Sequence, residues 1–581
     1  MDKKVLMDKK VIAFMIELLK PYRRKMMVVL VCMVIISVLG AIYPLLQREI
    51  FDNGIMAGDF SIVMYYTLLI LGLFLIEQLL SFIQFVHYEY INRQIPNELM
   101  GKVVEHSIHL KMSYHKDNNF LKIIDNVTYD MAIITHIANA SLLQAVVSLF
   151  KIIGGIIGLT IIDWRLTIFI LVIVPLEVLI KNLLSARQQK QVSKLMKLNE
   201  KFSMWFGETF KSIEVIKLWN LQKKRRQEFD YQRKDMMQVE AKMEYINNYS
   251  NISSQTLNTI FNHGVNLLGA VFILRGDLTI GGLFAFAAYS VYVMQPITLL
   301  TDISYRLSSD LPAFKRFIEY FDHDTEHQEG VSTANMSPKV ESLSFDNIKF
   351  SYSDKQPILE SINFSIKQGE KVAFVGLNGS GKSSIVNLIL RFFEPLSGVI
   401  KLNGIDIQEI ALNEYRELFS VMSQNITLFD DSIENNVNIL GELSEEQIQE
   451  YMNMATASDL AHSLPDGIKT YVGFNGSKLS GGEKQKVSLA RALAKKAGII
   501  ILDEATASFD LKAEKQFDHY ITNSERYDMV IIISHREDIL KRLDKIFILD
   551  NGVIIDSGTF SELIARNDYF NTILTQEREG L

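Results

Sequence analysis

Cysteine is nearly missing from this chain. The single Cys32 excludes an intrachain disulfide and any cysteine-rich metal site. It lies within an apolar run and reads as a small hydrophobe. An excess of one charge is missing too: 60 Lys and Arg against 67 Asp and Glu leave a formal net charge of −7 over 581 residues. That balance carries no basic footprint of the kind nucleic-acid binding requires. The first long apolar run, Met26 to Leu46, is not expected to act as a removable leader. It is too long for a signal peptide and has no small-residue cleavage site. Apolar side chains, by contrast, are plentiful: 48% of residues are hydrophobic and mean hydropathy is +0.13, which places part of the chain in a membrane.

Runs long enough to cross ~30 Å of hydrocarbon recur at Met26–Leu46, Ser61–Val86, Ala140–Ile162, Leu166–Leu184, Thr256–Leu274 and Gly281–Leu300. Before them, Val11 to Leu19 is amphipathic and ends at Pro21, as an interfacial helix would. The connections alternate in length. Asp52 to Asp59, Asp163-Trp164-Arg165 and Arg275-Gly276-Asp277 are short turns, whereas His87 to Asn139 and Ser185 to Gln255 are long, polar and helix-patterned. The second long connection carries 14 Lys and Arg, and positive excess marks the cytoplasmic side. Both termini are therefore expected in the cytoplasm.

Polar residues within spans are costly in lipid and should face protein or water. Asn258, Asn262 and Asn266 recur every fourth residue in the fifth span, beside His263, and Asn251 and Gln255 continue that side. Tyr289, Tyr292 and Gln295 offer an aromatic and polar surface in the sixth. The Asn stripe suits either helix–helix hydrogen bonding or the lining of a path for an amphipathic ligand. Glu177 is a further candidate, and Glu77 and Lys151 are placed to neutralise one another.

From Asp322 to Lys339 apolar content collapses, which marks a linker after a domain covering 1–321. From Val340 to the end at 581, short apolar strands alternate with helices, the pattern of an α/β domain. Within it, Gly376-Leu377-Asn378-Gly379-Ser380-Gly381-Lys382-Ser383 follows the apolar strand Val372–Val375 and precedes a helical pattern starting at Ser384. This is the complete G-x-x-x-x-G-K-[ST] loop in the context it needs. Its backbone N–H groups cradle phosphates, Lys382 would reach the β- and γ-phosphates, and the Ser383 hydroxyl would ligate Mg²⁺.

Further features sit in the same domain, and four of them bear on the chemistry. Gly498 to Glu504 is a buried strand ending in two acids, which places Asp503 to hold Mg²⁺ and Glu504 to orient or deprotonate a water. Leu479-Ser480-Gly481-Gly482-Glu483 opens a helix with free N–H groups, a second phosphate-binding surface that suggests two copies share nucleotide. His535 follows the strand Met529–Ile533, and Gln424 follows Phe419–Met422. Asp550-Asn551-Gly552 between apolar runs signals a hairpin, and Thr559-Phe560-Ser561-Glu562 a capping box.

Taken together, GLNGSGKS, Gln424, LSGGE, IIILDE and Ile533-Ser534-His535-Arg536 after six spans closely resemble ABC transporters of the exporter type. The resemblance implies a membrane all-α six-helix domain followed by a soluble α/β P-loop NTPase cassette, with ATP and Mg²⁺ at the site. It implies that Tyr352 stacks on adenine and that Gln424 contacts the metal and couples nucleotide to the membrane helices. It further implies that Ser480, Gly481, Gly482 and Glu483 touch the γ-phosphate held by a partner's loop, that Asp510 lies at the dimer seam, and that His535 senses the γ-phosphate. Segments near Ser113-Tyr114-His115 and Glu208 to Glu214 look like the family's two coupling helices. Two departures stand out: Glu483 replaces the commoner Gln, and Tyr471 and Phe474 replace both acids of the usual T-E-V-G-E.

The expectation is a half-transporter of the cytoplasmic membrane that pairs, preferably with its own copy, otherwise with a different half. It would move an amphipathic peptide, lipid or drug-like molecule outward, with membrane lipid as its surroundings and no nucleic acid as partner. The alternative is a non-transporting membrane ATPase sensor with the same fold. No protease-like domain precedes the first span, so leader-peptide cleavage is not expected.

Overall fold

A computed structural model describes residues 9–117, 120–136, 142–332, 339–352, 357–504, 517–518, 520–521 and 526–579. The chain divides into two compact units, Met1–His109 with Asn118–His323, and Leu110–Asp117 with Asp324–Leu581.

The first unit is helical. Its helices are α1 (Lys9–Leu19), α2 (Arg23–Glu49), α3 (Phe60–His109), α5 (Phe120–His136), α6 (Leu142–Ile162), α7 (Trp164–Lys211), α8 (Ile213–Leu218), α9 (Gln222–Leu274) and α10 (Ile280–Phe321), while α4 (Met112–Asp117) belongs to the second unit. Six of the described helices are long and apolar enough to cross a membrane, and each carries one of the expected spans. With 50, 48 and 53 residues, α3, α7 and α9 reach roughly 70–80 Å at 1.5 Å per residue. That is more than twice the hydrocarbon thickness, so much of the polar sequence between spans simply prolongs the spanning helices.

Acidic and basic side chains tie the three short turns together. Asp163 caps α7 by accepting from the N–H groups of Arg165 and Leu166. Arg165 then pairs with Asp163 at 2.7 Å and with Asp277 of another turn at 3.0 Å. Asp52 accepts from the Thr279 hydroxyl at 2.7 Å and from the Gly281 N–H at 2.9 Å. At the other end, Arg316 of α10 donates through Nε at 2.7 Å to the buried carboxylate of Asp130 on α5.

Small residues let the apolar helices approach. A Cβ on Gly155 or Gly158 of α6 would lie 2.5 Å from Val293 or Tyr289 of α10. Both residues join Leu159, Ile170, Phe261 and Val265 in one buried cluster. The Glu77–Lys151 pairing expected from sequence is not formed: Glu77 accepts from the Tyr43 hydroxyl at 2.8 Å, and Lys151 lies over the Tyr292 ring. Glu177 is buried and accepts from the Thr298 hydroxyl at 3.0 Å.

The second unit holds two sheets. Strands β1 (Ser342–Phe350), β2 (Leu359–Lys367), β4 (Ser397–Leu402) and β5 (Ile405–Asp406) form an antiparallel sheet of order β2-β1-β4-β5. Strands β3 (Lys371–Val375), β6 (Phe419–Met422), β7 (Ile499–Asp503), β8 (Met529–Ile533), β9 (Lys545–Asp550) and β10 (Val553–Gly558) form the other, ordered β10-β9-β3-β8-β7-β6. All neighbours in it are parallel except β10 and β9. Alternation along these strands feeds two cores. Ala373, Val375, Ile500, Leu502, Val530 and Ile532 pack with the cassette's helices, whereas Val372, Phe374, Ile499, Ile501, Ile531 and Ile533 pack with the antiparallel sheet. Both faces are thus covered, as a parallel sheet requires. Asn551 and Gly552 take φ of 44° and 78° at the hairpin, and Thr559 and Glu562 form a capping box. Residues 324–332 do not hang free: Val331 pairs with Ile410, and Glu326 accepts from Arg416 at 2.7 Å.

Candidate functional site

In a parallel sheet every strand delivers its C-terminal end to the same edge, and ligands gather there. The strand order makes that edge specific. The phosphate loop leaves β3, His535 follows β8, Asp503 and Glu504 end β7, and Gln424 follows β6. Because β3, β8, β7 and β6 are consecutive neighbours, four segments separated by up to about 160 residues of chain line up side by side.

Close packing shapes the phosphate loop. A Cβ on Gly376 would lie 2.2 Å from the Leu549 carbonyl oxygen, and one on Gly381 2.5 Å from Leu359. The outer side is open, with Gly379 at φ 86° and nothing within 4 Å of an added Cβ. Leu377, Asn378, Gly379 and Ser383 are exposed, whereas Ser380, Lys382 and Ser384 are buried. Lys382 opens helix α11 (Lys382–Ile389), and its Nζ donates to the carbonyls of Gly376 at 2.5 Å and Leu377 at 3.1 Å. Ser380 Oγ is buried with no hydrogen-bond partner among the described residues, and a phosphate oxygen at the loop would satisfy it. Next to this helix, the Tyr352 hydroxyl accepts from Asn387 Nδ2 at 2.9 Å and meets Ser384 Oγ at 3.3 Å. An aromatic ring therefore stands one helical turn from the phosphate loop.

Glu504 adopts the left-handed conformation, φ 52°, and its N–H donates to the Ile533 carbonyl at 3.1 Å. That conformation is costly for a non-glycine residue and concentrates at functional sites. Its Oε2 accepts from Gln424 Nε2 at 2.9 Å, so the acid at the end of β7 is gripped from β6. The sequence motifs single out both residues but not this bond, which only the strand order reveals.

Burial and charge tune the group. Burial raises the Asp503 carboxyl to about 6, with Glu504's charge adding and Lys382 opposing. Burial lowers the Lys382 ammonium, with Glu504 and Asp503 pulling it back up. Burial, then Lys382, lowers His535 and Glu504 opposes, so the imidazole is neutral at physiological pH. Ser383, Gln424 and Asp503 supply oxygen donors of the kind Mg²⁺ prefers. No cluster of three or more His, Cys, Asp or Glu with metal-site geometry occurs among the described residues. The donor set thus fits an ion that arrives with phosphate oxygens rather than one held in a protein cage.

The second phosphate-binding candidate is a capped helix start. Ser480 N-caps α12 (Gly481–Ala494), and Glu483 returns the bond, its Oε2 accepting from the Ser480 N–H at 2.7 Å. Glu483 is therefore the reciprocal acid of a capping box, a signal present in the sequence as Ser-x-x-Glu. Gly481 has nothing within 4 Å of an added Cβ. Among the described residues, no hydrogen bond or ion pair joins Ser480–Glu483 to the four segments at the sheet edge. Asp510 lies outside the described residues. Tyr471 and Phe474 are exposed at 59% and 83%.

In the helical unit, Asn262, Asn266 and Gln295 are exposed, and Asn258 and Tyr292 are half-buried. Tyr289 departs from the expected path surface. It is 2% exposed, its hydroxyl donates to the Ala41 carbonyl, and its ring covers Gly158. A tyrosine in an apolar bundle must place its hydroxyl on some acceptor, and the α2 backbone supplies it. Tyr292 likewise donates to the Ser37 carbonyl.

The comparisons agree with this architecture. The sequence matches the ABC transporter transmembrane region over residues 26–297 and the ABC transporter domain over residues 359–507. It is 27% identical over 574 residues to an ATP-dependent lipid A-core flippase of Syntrophus aciditrophicus, covering 97% of this chain and 94% of that protein. The flippase of Coxiella burnetii is 27% identical over 559 residues, covering 95% of this chain and 94% of that one. Among solved structures, a bacterial Atm1-family ABC exporter with ATP bound superposes with a TM-score of 0.84 at 21% identity, covering 96% of this chain and 98% of that one. With its membrane-spanning helices and its ATP-hydrolysing cassette on one polypeptide, the chain belongs to the ABC transporters, as a half-transporter of the exporter type.

Proposed function

We propose that this half-transporter pairs with a second copy and uses ATP hydrolysis to move an amphipathic, lipid-like molecule outward across the cytoplasmic membrane, with both termini and the cassette on the cytoplasmic side. One observation carries the reading: six membrane-crossing helices share a chain with Lys382, His535, Asp503–Glu504 and Gln424 aligned on one sheet edge. The curated relatives named above are lipid A-core flippases, which favours a lipid-like cargo over a peptide.

The chemistry follows from the side chains. Lys382 swings from the loop carbonyls toward the β- and γ-phosphates of ATP, and the loop's N–H groups hold their oxygens. Ser383, Asp503 and Gln424 Oε1 would hold Mg²⁺, which neutralises phosphate charge when bound. Glu504, fixed by Gln424, orients the attacking water and accepts its proton at a carboxylate oxygen. Neutral His535 is poised to donate to the γ-phosphate. Tyr352 offers its ring to the base. The open turn Ser480–Glu483 is left for the partner's nucleotide, which is why two copies are needed. Asn258, Asn262, Asn266 and Gln295 line the cargo path, bordered by Tyr292.

The test is Glu504→Gln in reconstituted protein. ATP binding should persist while turnover falls by roughly 10²–10⁴-fold, the usual contribution of a positioned base. Turnover above about a tenth of wild type would remove Glu504 from that role. Stimulation of wild-type ATPase by lipids, but not by peptides or drugs, would support the cargo class.

A further inference from the structure

The segment Leu110–Asp117 lies in the chain between membrane helices α3 and α5, yet it clusters with the cassette. Its first end is fastened by backbone and charge. Leu110 bridges Thr325, the Lys111 N–H donates to the Asp324 carbonyl at 3.2 Å, and Lys111 Nζ pairs with Glu394 at 3.1 Å. In its last turn, the Lys116 ammonium lies over the Tyr352 ring, 3.2 Å from the centroid. Phe350 and Phe393 stand perpendicular to that ring at 4.8 and 4.9 Å, and its hydroxyl is engaged by Asn387 and Ser384. With its edges walled and its hydroxyl tied, the ring offers a face, and Lys116 covers it.

We infer that Lys116 and the nucleobase compete for the face of Tyr352, so that a base-bearing triphosphate lifts the last turn of Leu110–Asp117 off the cassette while its first turn stays fastened. The inference rests on the reading of the loop Gly376–Ser383 as the triphosphate site and of Tyr352 as its base platform. Magnitudes favour the exchange. Stacking of a base on an aromatic side chain is worth roughly 5- to 150-fold in affinity, against roughly two- to fivefold for an exposed cation–π contact. A triphosphate lacking a base has nothing to put on the ring and leaves Lys116 in place. The segment that adjoins two membrane helices in sequence thereby distinguishes a nucleotide from bare phosphate.

The experiment uses full-length protein in lipid nanodiscs with Glu504→Gln to stop turnover, and compares ATP with inorganic tripolyphosphate. Lys116→Met removes the cation but keeps the chain length, and should tighten ATP binding roughly two- to fivefold with tripolyphosphate unchanged. Lys116→Arg should restore the wild-type value. In a Cys32→Ala background, His115→Cys, half-buried in the last turn, should react faster with a water-soluble maleimide when ATP is added, and not with tripolyphosphate. ATP affinity that is unchanged or weakened by Lys116→Met would overturn the inference, as would equal shifts for both ligands. Lys382→Ala separates this failure from failure of the site itself. If that variant weakens neither ligand, the phosphate-loop reading is at fault; if it weakens both while Lys116 variants do nothing, the competition is wrong.

Discussion

Replacing Asp503 by Asn should stabilise the protein while removing its activity. Asp503 ends β7 at 9% exposure, and burial raises its carboxyl from 3.8 to about 6. At about 1.36 kcal/mol per pH unit, keeping that carboxylate ionised at pH 8 costs the folded protein roughly 3 kcal/mol. Asn keeps the shape and sheds the charge. The attraction of Lys382 is already contained in that shift, so the net gain stays at about 3 kcal/mol. For a cassette of this size, each kcal/mol moves Tm by about 2–4 °C, so the rise should be roughly 6–12 °C. The sign follows from the direction of the shift. A folded-state value above the unfolded one contributes stability that is complete below 3.8 and lost as pH rises through about 6. The advantage of Asp503→Asn is therefore largest at about pH 8, about half as large at about pH 5, and nearly gone only at about pH 3.5. Differential scanning fluorimetry of the full chain in nanodiscs, with EDTA and no nucleotide, reads both. A variant no more stable than wild type at about pH 8, or a gap of equal size at about pH 3.5, would refute the argument.

Two other predictions concern shape and path. Gly376→Ala forces a Cβ to within 2.2 Å of the Leu549 carbonyl oxygen, an overpacking of backbone that should cost about 1–3 kcal/mol and abolish nucleotide binding; Gly379→Ala, in open space, should cost only the ~1–2 kcal/mol of its left-handed backbone, and thermal melts compare the two. Replacing Asn258, Asn262 and Asn266 by Leu should change lipid-stimulated ATPase at least severalfold and leave basal activity and Tm nearly unchanged; loss of Tm with stimulation per folded molecule intact would mark the stripe as packing.

The cassette was legible because its signals are local. Val372–Val375 followed by eight residues of phosphate loop, the Asp550-Asn551-Gly552 turn and the Thr559–Glu562 box each determine their own backbone, and all formed as expected. The six spans were legible because length and hydropathy suffice. Partnerships between helices were not. A helix such as α3 is apolar around much of its circumference, so periodicity does not say that Glu77 faces Tyr43 rather than Lys151. Tyr289 looked like an open aromatic surface, but the register of α10 against α6 turns it onto Gly158, a fact that depends on packing and not on spacing. The segment near Ser113–His115 is singled out by resemblance, but that Lys116 lies over the Tyr352 ring is not legible from spacing.

Strand order also explains why Gln424 matters beyond its own loop. An amide has one donating and one accepting end, and here Nε2 is committed to Glu504 at 2.9 Å, which leaves Oε1 for a cation. The same side chain that would complete an Mg²⁺ shell therefore holds the acid that addresses the water. In the proposed mechanism, placement of the ion and aim of the base would be a single event, because one rigid amide plane would serve both. Strands β6 and β7 are the neighbours that make this reach short, paired from Phe419–Ile499 to Met422–Leu502. Under the proposed reading, the loop that follows Gln424 would feel whether the metal is seated through this one amide, which also holds Glu504.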